Sequence, residues 1–201
     1  MGGVAGHLNH LYDDRSMSFN KMMDIIDTAS QGKLTVEEKV DGQNLFISWS
    51  NERGEDLAAR NKGNIKQRGM TAAELSTKFA GRGAIQKVYD EAFETFASAV
   101  EKLPPKTREQ IFGPDANIWY NVEGMSPENP NVLLYDNNYL KIHSGGHKMR
   151  DPETGSPENF DASERVSILD KNIKSLQQAA AGKKYKIIRN ATLKLKALSS
   201  D

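Results

Sequence analysis

The tetrapeptide Lys39-Val40-Asp41-Gly42 ends a strand-like run that begins at Leu34. A free lysine ionises near 10.4 and is a poor nucleophile at neutral pH. Nearby cations or desolvation lower that value and expose the lone pair. About twenty residues later, "ARNKG" offers Arg60 and Lys62 as such cations, and both side chains also suit phosphate oxygens. On an extended strand Lys39 shares a face with Glu37 and Asp41, while Val36 and Val40 turn to the core. A second reading stands beside the nucleophile: Asp-Gly is a common hairpin turn, preceded here by a lysine through chance.

The elements that position these residues are legible as patterns. "SMSFNKMMDIIDTASQG" has helical spacing at Phe19, Met22, Met23, Ile26 and Ala29, with Ser18 as N-cap and Gly32 as stop. Those apolar residues, the Met22-Met23 pair included, are expected in the core. Leu34 to Val40 and Asn44 to Trp49 alternate, which predicts a hairpin across Asp41-Gly42. "NERGED" is a turn and "LAARN" a third strand. Thr71 and Glu74 form a capping box that opens a short helix. The next helix, "AIQKVYDEAFETFASAVEKL", buries Ile85, Val88, Tyr89, Ala92, Phe96, Ala99, Val100 and Leu103 and ends at Pro104-Pro105. "NIWYNVEGM", "NVLLYD" and "YLKIHS" read as strands. "HSGGHKMRDPETGSPENFDAS" reads as a loop, followed by a helix from about 161 to 181 and one or two strands in "KYKIIRNATLKLKAL". Trp49 and Trp119 are assigned to the core, with stacking on a base as the other reading. The order of elements is that of an α+β fold.

The chain has 201 residues and equal numbers of acidic and basic side chains. Its basic residues are nevertheless clustered. Arg60 to Lys87 holds seven against the single acid Glu74, and Lys171 to Lys196 holds eight against none. Two such tracts suit a polyanion; the alternative is a solvated surface neutralised by acids from elsewhere. No apolar run approaches the length of a membrane span, so no membrane partner is expected. The absence of cysteine excludes disulfides and thiolate metal sites and fits a cytoplasmic setting. His7 and His10 lack the further ligands of a structural zinc site. His143 and His147 flank Gly145-Gly146 in what reads as a connector.

Three stretches occur in order: "EKVDGQN" around Lys39, "RNKG" from Arg60, and "VEGMSPENPNVLLY" centred on Glu123. In these the chain resembles the covalent nucleotidyltransferase superfamily of ATP-dependent DNA ligases, RNA ligases and mRNA capping enzymes, and most of all the phage-type RNA ligases. The resemblance spans residues 7 to 145. It implies a nucleotide groove between mainly antiparallel sheets with a helical insert. It also implies a phage-encoded enzyme acting in the host cytoplasm, with ATP and magnesium as cofactors and RNA or nicked nucleic acid as partner. Lys39 then carries AMP, Arg60 and Lys62 hold phosphate, and Glu123 with Asp41 and Gly42 lines the nucleotide. Glu37 or Glu38 lies near the adenine and Asn44 near the acceptor phosphate. Asp41 and Glu123 are the candidate metal residues.

The sequence also departs from the family pattern. A later Glu-Gly-hydrophobic motif, the family's metal-binding glutamate, is not found after residue 145. Lys194 and Lys196 in "LKLK" match the final Lys-x-Lys motif without it. The expected organisation is an adenylation core over 1–145, with 146–201 completing it or beginning a second part that this chain leaves incomplete. Four functions stay open at this point: a ligase forming lysine-AMP, a ligase-like nucleic-acid-binding module without turnover, a capping-type guanylyltransferase using GTP, and an α+β interaction protein with a chance Lys-x-Asp-Gly.

Overall fold

The computed structural model describes residues 17–37, 40–130, 133–144, 147–159, 163–189 and 193–198. In chain order its elements are α1 (Phe19–Ser30), β1 (Thr35–Val36), β2 (Gln43–Ser50), β3 (Glu55–Ala59), α2 (Lys62–Lys66), α3 (Ala72–Phe79), α4 (Ala84–Glu101), α5 (Pro105–Phe112), β4 (Ile118–Met125), β5 (Tyr139–Ile142), β6 (Lys148–Arg150), β7 (Pro157–Asn159), α6 (Ser163–Ala179), β8 (Lys186–Ile188) and β9 (Leu193–Lys194). This is an α+β fold with a mixed, mostly antiparallel, open sheet of seven strands. No helix among the described residues is long and apolar enough to cross a membrane.

The larger of two compact units spans 40–189. Its strands run β3-β2-β4-β5-β8, with β6 on β4 and β7 on β6. All pairs are antiparallel except β5 with β8. One sheet face carries Leu45, Ile47, Trp49, Tyr120, Val122, Leu140 and Ile142, packed in the same core as Val88, Tyr89, Ala92, Phe93 and Phe96 of α4. The opposite face carries a smaller cluster of Phe46, Leu57, Ala59, Ile65 and Trp119. Covering both faces explains why all eight residues of β4 are buried, though its sequence alternates apolar and polar.

The Asp-Gly hairpin is not formed. β2 pairs with β3 and β4, whereas β1 pairs with β9. A two-residue type I′ turn requires a left-handed glycine, and Gly42 is not among the residues with positive φ. The hairpin that does form joins β2 to β3 through Asn51–Gly54, where Gly54 has φ 66° and donates to Ser50 O at 2.9 Å. Pro105 does more than follow α4. It opens α5, because its missing N–H and fixed φ suit a first helical turn. The stretch expected as a loop contains the β6–β7 hairpin. Residues 133–136 of "NVLLYD" are not a strand, and Leu134 is exposed. α3 begins with the capping box of Thr71 and Glu74, as its sequence indicates.

The smaller unit contains α1, β1 and β9 among its described residues. Ser18 caps α1 by accepting from Lys21 N–H at 3.2 Å. The expected core stripe is corrected here: α1 buries no residue, and Phe19, Met23 and Ile26 are exposed. Within this unit the sheet has only two residues per strand, too small a face to cover three helical turns. Lys194 lies in β9 opposite Thr35, with Lys196 just beyond it.

A buried carboxyl on β3 gives the fold a pH dependence. Asp56 sits opposite Trp49, is almost wholly buried, and its Oδ1 has no hydrogen-bond partner. Burial first, then the charge of Glu101, pushes it from 3.8 to about 8, against the opposing pull of Arg108. The folded chain therefore holds a proton that the unfolded chain releases above about pH 4. This contribution is complete below the unfolded value and is lost as pH rises toward the folded one. Asp56→Asn is expected to match the wild type at pH 4 and to be more stable by about 5 kcal/mol at pH 8, in urea denaturation at both values. Parallel pH profiles for the two proteins would contradict this.

Candidate active site

The antiparallel register sets up a polar patch on the second sheet face. Asn44 on β2 pairs with Glu123 on β4, which pairs with Lys141 on β5. One rung further, Phe46 pairs with Asn121, and His143 N–H donates to Asn121 O at 3.0 Å. Successive strand residues point to opposite faces, so Asn121 and Glu123 share theirs, with Tyr120 and Val122 on the other. Asn44, Asn121, Glu123, Lys141 and His143 are all buried. Buried polar side chains are retained where they are paired. Asn44 Nδ2 donates to Asn121 Oδ1 at 2.6 Å. Glu123 Oε2 lies 3.0 Å from His143 Nε2. His147 Nδ1 accepts Asn121 N–H at 3.1 Å, so that nitrogen carries no proton.

The segment that follows Lys39 is fixed against this patch. Gly42 N–H donates to Glu123 Oε1 at 2.7 Å, and Asp41 N–H donates to Tyr135 Oη at 2.9 Å. Gly42 has no room for a side chain. A Cβ there would lie 2.5 Å from Gly124 O, 2.7 Å from Met125 Cγ and 3.1 Å from Glu123 Cγ. Val40 is buried and Asp41 is half-buried. Glu38 and Lys39 lie outside the described residues, as do His7, His10, Gly145 and Gly146.

Arg60 is placed on the helical side of the sheet. It follows Ala59 of the second cluster and so turns to the helical side. Its guanidinium lies 4.9 Å from the Tyr89 ring centroid and 5.9 Å from that of Phe79. It meets the polar rung only through the main chain, where Nη1 donates to Asn44 O. Burial lowers its pKa. Burial likewise pushes the Tyr89 hydroxyl up to about 12 despite Arg60, so it is a neutral donor, 3.2 Å from Gln43 Oε1. Lys62 is exposed at the start of α2, which Asn61 caps by accepting from Asn64 N–H at 2.9 Å.

Lys148 on β6 pairs with Trp119 and is nearly buried. Its pKa is lowered, by burial first and by Lys62 second. The structure therefore brings together Asp41, Gly42, Asn44 and Glu123, and leaves the Arg60 side chain with the aromatic rings. It adds Asn121, Lys141, His143, His147 and Lys148. The alternation of "NIWYNVEGM" and "YLKIHS" already carried a signal for Asn121 and Lys141. His147 and Lys148 gave none, because a three-residue strand shows no periodicity.

Glu123 uses one contact on each carboxylate oxygen, Oε1 to Gly42 N–H and Oε2 to His143, which leaves lone pairs on both. Among the described residues no group of three imidazoles or carboxylates could hold a metal. No family model, curated protein or solved structure matches the chain.

Proposed function

We propose that the chain is the adenylation core of an ATP-dependent nucleic acid ligase, acting on RNA. One observation carries the reading. The segment after Lys39 is hydrogen-bonded to both ends of the "VEGMSPENPNVLLY" stretch, by Gly42 to Glu123 and by Asp41 to Tyr135. Two motifs more than eighty residues apart, picked out for their resemblance to one family, are thus bound to each other.

In this reading the Lys39 amine attacks the α-phosphorus of ATP and loses a proton. Pyrophosphate leaves, and AMP remains joined to nitrogen. The AMP passes to a 5′-phosphate end, and a 3′-hydroxyl then displaces it to seal the strand. Negative charge gathers on phosphate oxygens, so cations do most of the stabilising. Lys62, Lys141 and Lys148 supply them. Glu123 orients the Asp41-Gly42 segment, and Glu38 and Asn44 belong to the nucleotide and acceptor surroundings. Magnesium belongs to the reading as the ion that accompanies ATP.

A second reading, a ligase-like nucleic-acid-binding module without turnover, is favoured by Arg60, whose guanidinium stacks on Tyr89 and Phe79. Incubation with ATP or GTP labelled at the α-phosphate separates the readings. Acid-labile, base-stable protein label from ATP alone is expected. Label from GTP alone would make the chain a guanylyltransferase, and no label from either would leave the binding module.

A further inference from the structure

Both basic tracts are neutralised only in part by the fold. In the later one, Lys183 pairs with Glu94 at 3.1 Å, and Lys184 with Glu91 at 2.9 Å and Glu128 at 3.6 Å. Arg189 is bound to Asp170, and Lys186 lies 6.0 Å from the Tyr139 ring centroid. Acids thus neutralise three of its eight basic residues, while Lys171, Lys174, Lys186, Lys194 and Lys196 are exposed with no ion pair to a described carboxylate. In the earlier one, Arg68 pairs with Asp115 at 3.1 Å and Lys87 with Glu128. Lys62, Lys66, Lys78 and Arg82 are exposed and have no ion pair with a described carboxylate.

These four cations are neighbours. Lys62 and Lys66 are one turn apart on α2, about 6 Å along the axis. Lys78 on α3 reaches Asn64 of α2, with Nζ to Oδ1 at 3.4 Å. Arg82 lies 5.2 Å from the ring of Phe79, the last residue of α3. The acids nearby are occupied: Glu74 accepts Thr71 N–H at 2.8 Å, and Asp90 accepts the Ser76 hydroxyl at 3.1 Å. The exposed large apolar side chains lie elsewhere, at Phe19, Met23, Ile26, Leu133, Leu134, Met149, Leu193 and Leu198. A membrane-surface helix needs an apolar face beside its cations, and α2 and α3 expose none. A polyanion that needs no apolar contact fits better.

We propose that the exposed surface of α2, α3 and Arg82 binds the phosphate backbone of a single nucleic-acid strand. The ligase reading supplies only the choice of nucleic acid as the polyanion. The surface holds the acceptor strand electrostatically and without base preference.

Fluorescence anisotropy with a 5′-phosphorylated single-stranded RNA tests this on the full chain, over a series of salt concentrations. The triple variant K66A/K78A/R82A is compared with wild type and with the control K171A/K174A. Each neutralised phosphate contact contributes about 0.7 to the slope of log affinity against log salt on single strands. The triple variant should therefore lose about 2 from the slope and at least tenfold in affinity, while K171A/K174A stays within twofold of wild type. K78A and R82A alone should each lose about 0.7 of slope, which guards against a folding defect in the triple. Wild type that ignores RNA, a triple variant that keeps the slope, an equal loss in the control, or binding to phosphatidylserine vesicles in place of RNA would each overturn the proposal. ATP labelling is read separately. Label retained in the triple variant with RNA binding lost supports both inferences. RNA binding through the patch without label sinks the ligase reading alone.

Discussion

Glu123→Ala is expected to lower stability by about 3 kcal/mol and, in the ligase reading, to abolish nucleotidyl transfer to the protein. Glu123 is buried between two strands' worth of partners, Gly42 N–H at 2.7 Å and His143 at 3.0 Å. Removing the carboxylate leaves both donors in a site that water does not readily reach. Leaving a buried donor without its partner costs about 1–3 kcal/mol, more than the net value of the bond, because the desolvated group keeps no acceptor. Glu123→Gln should lose about half as much: its carbonyl still accepts from Gly42 N–H, but without charge. Urea denaturation of both variants measures this. A loss below 1 kcal/mol in Glu123→Ala would show that the Gly42 segment is held by something else.

Gly42→Ala is the second large effect, and its cause is steric. The new methyl group would sit 2.5 Å from Gly124 O, a backbone atom in the middle of a paired strand. A flexible side chain could move aside, whereas a carbonyl within β4 cannot move without breaking the β2–β4 ladder. The chain around Gly42 must lift instead, which stretches its hydrogen bond to Glu123. Overpacking costs about 1–3 kcal/mol, and the weakened charge-assisted bond adds about 1–2 kcal/mol. Lifting Gly42 also displaces the residues just before it, so nucleotidyl transfer should fall by at least 100-fold, the scale on which a misplacement of about 1 Å acts. Thermal unfolding and label incorporation are the readouts. A variant with wild-type stability and labelling would show that the close approach at Gly42 is unnecessary.

What was legible in the sequence was local or periodic. The Thr71–Glu74 capping box needs only four adjacent residues, and it forms. α4 shows its buried stripe because eighteen residues give five turns of pattern. The apolar and polar alternation of β4 placed Glu123 on a polar face. Misreadings came where a distant partner decides the local conformation. Asp41-Gly42 has hairpin chemistry, but Glu123 and Tyr135 bind its main chain and hold it against β4. Where Arg60 lies was also not legible: it joins aromatic rings from α3 and α4, which no local pattern reveals. β6 and β7 are three residues each, below the length at which a period of two can be seen. α1 has the spacing of a core helix and buries none of it, since spacing defines a stripe without supplying its cover.

The ligase reading stands on a covalent bond between Lys39 and AMP. Intact mass after incubation with ATP and magnesium, for wild type and for Lys39→Ala, tests it most directly, with peptide mapping to place the adduct. A gain of one AMP is expected in the wild type, carried by the peptide containing Lys39, with no gain in Lys39→Ala. A folded wild-type protein that gains no mass, or an adduct that persists when Lys39 is alanine, would contradict it.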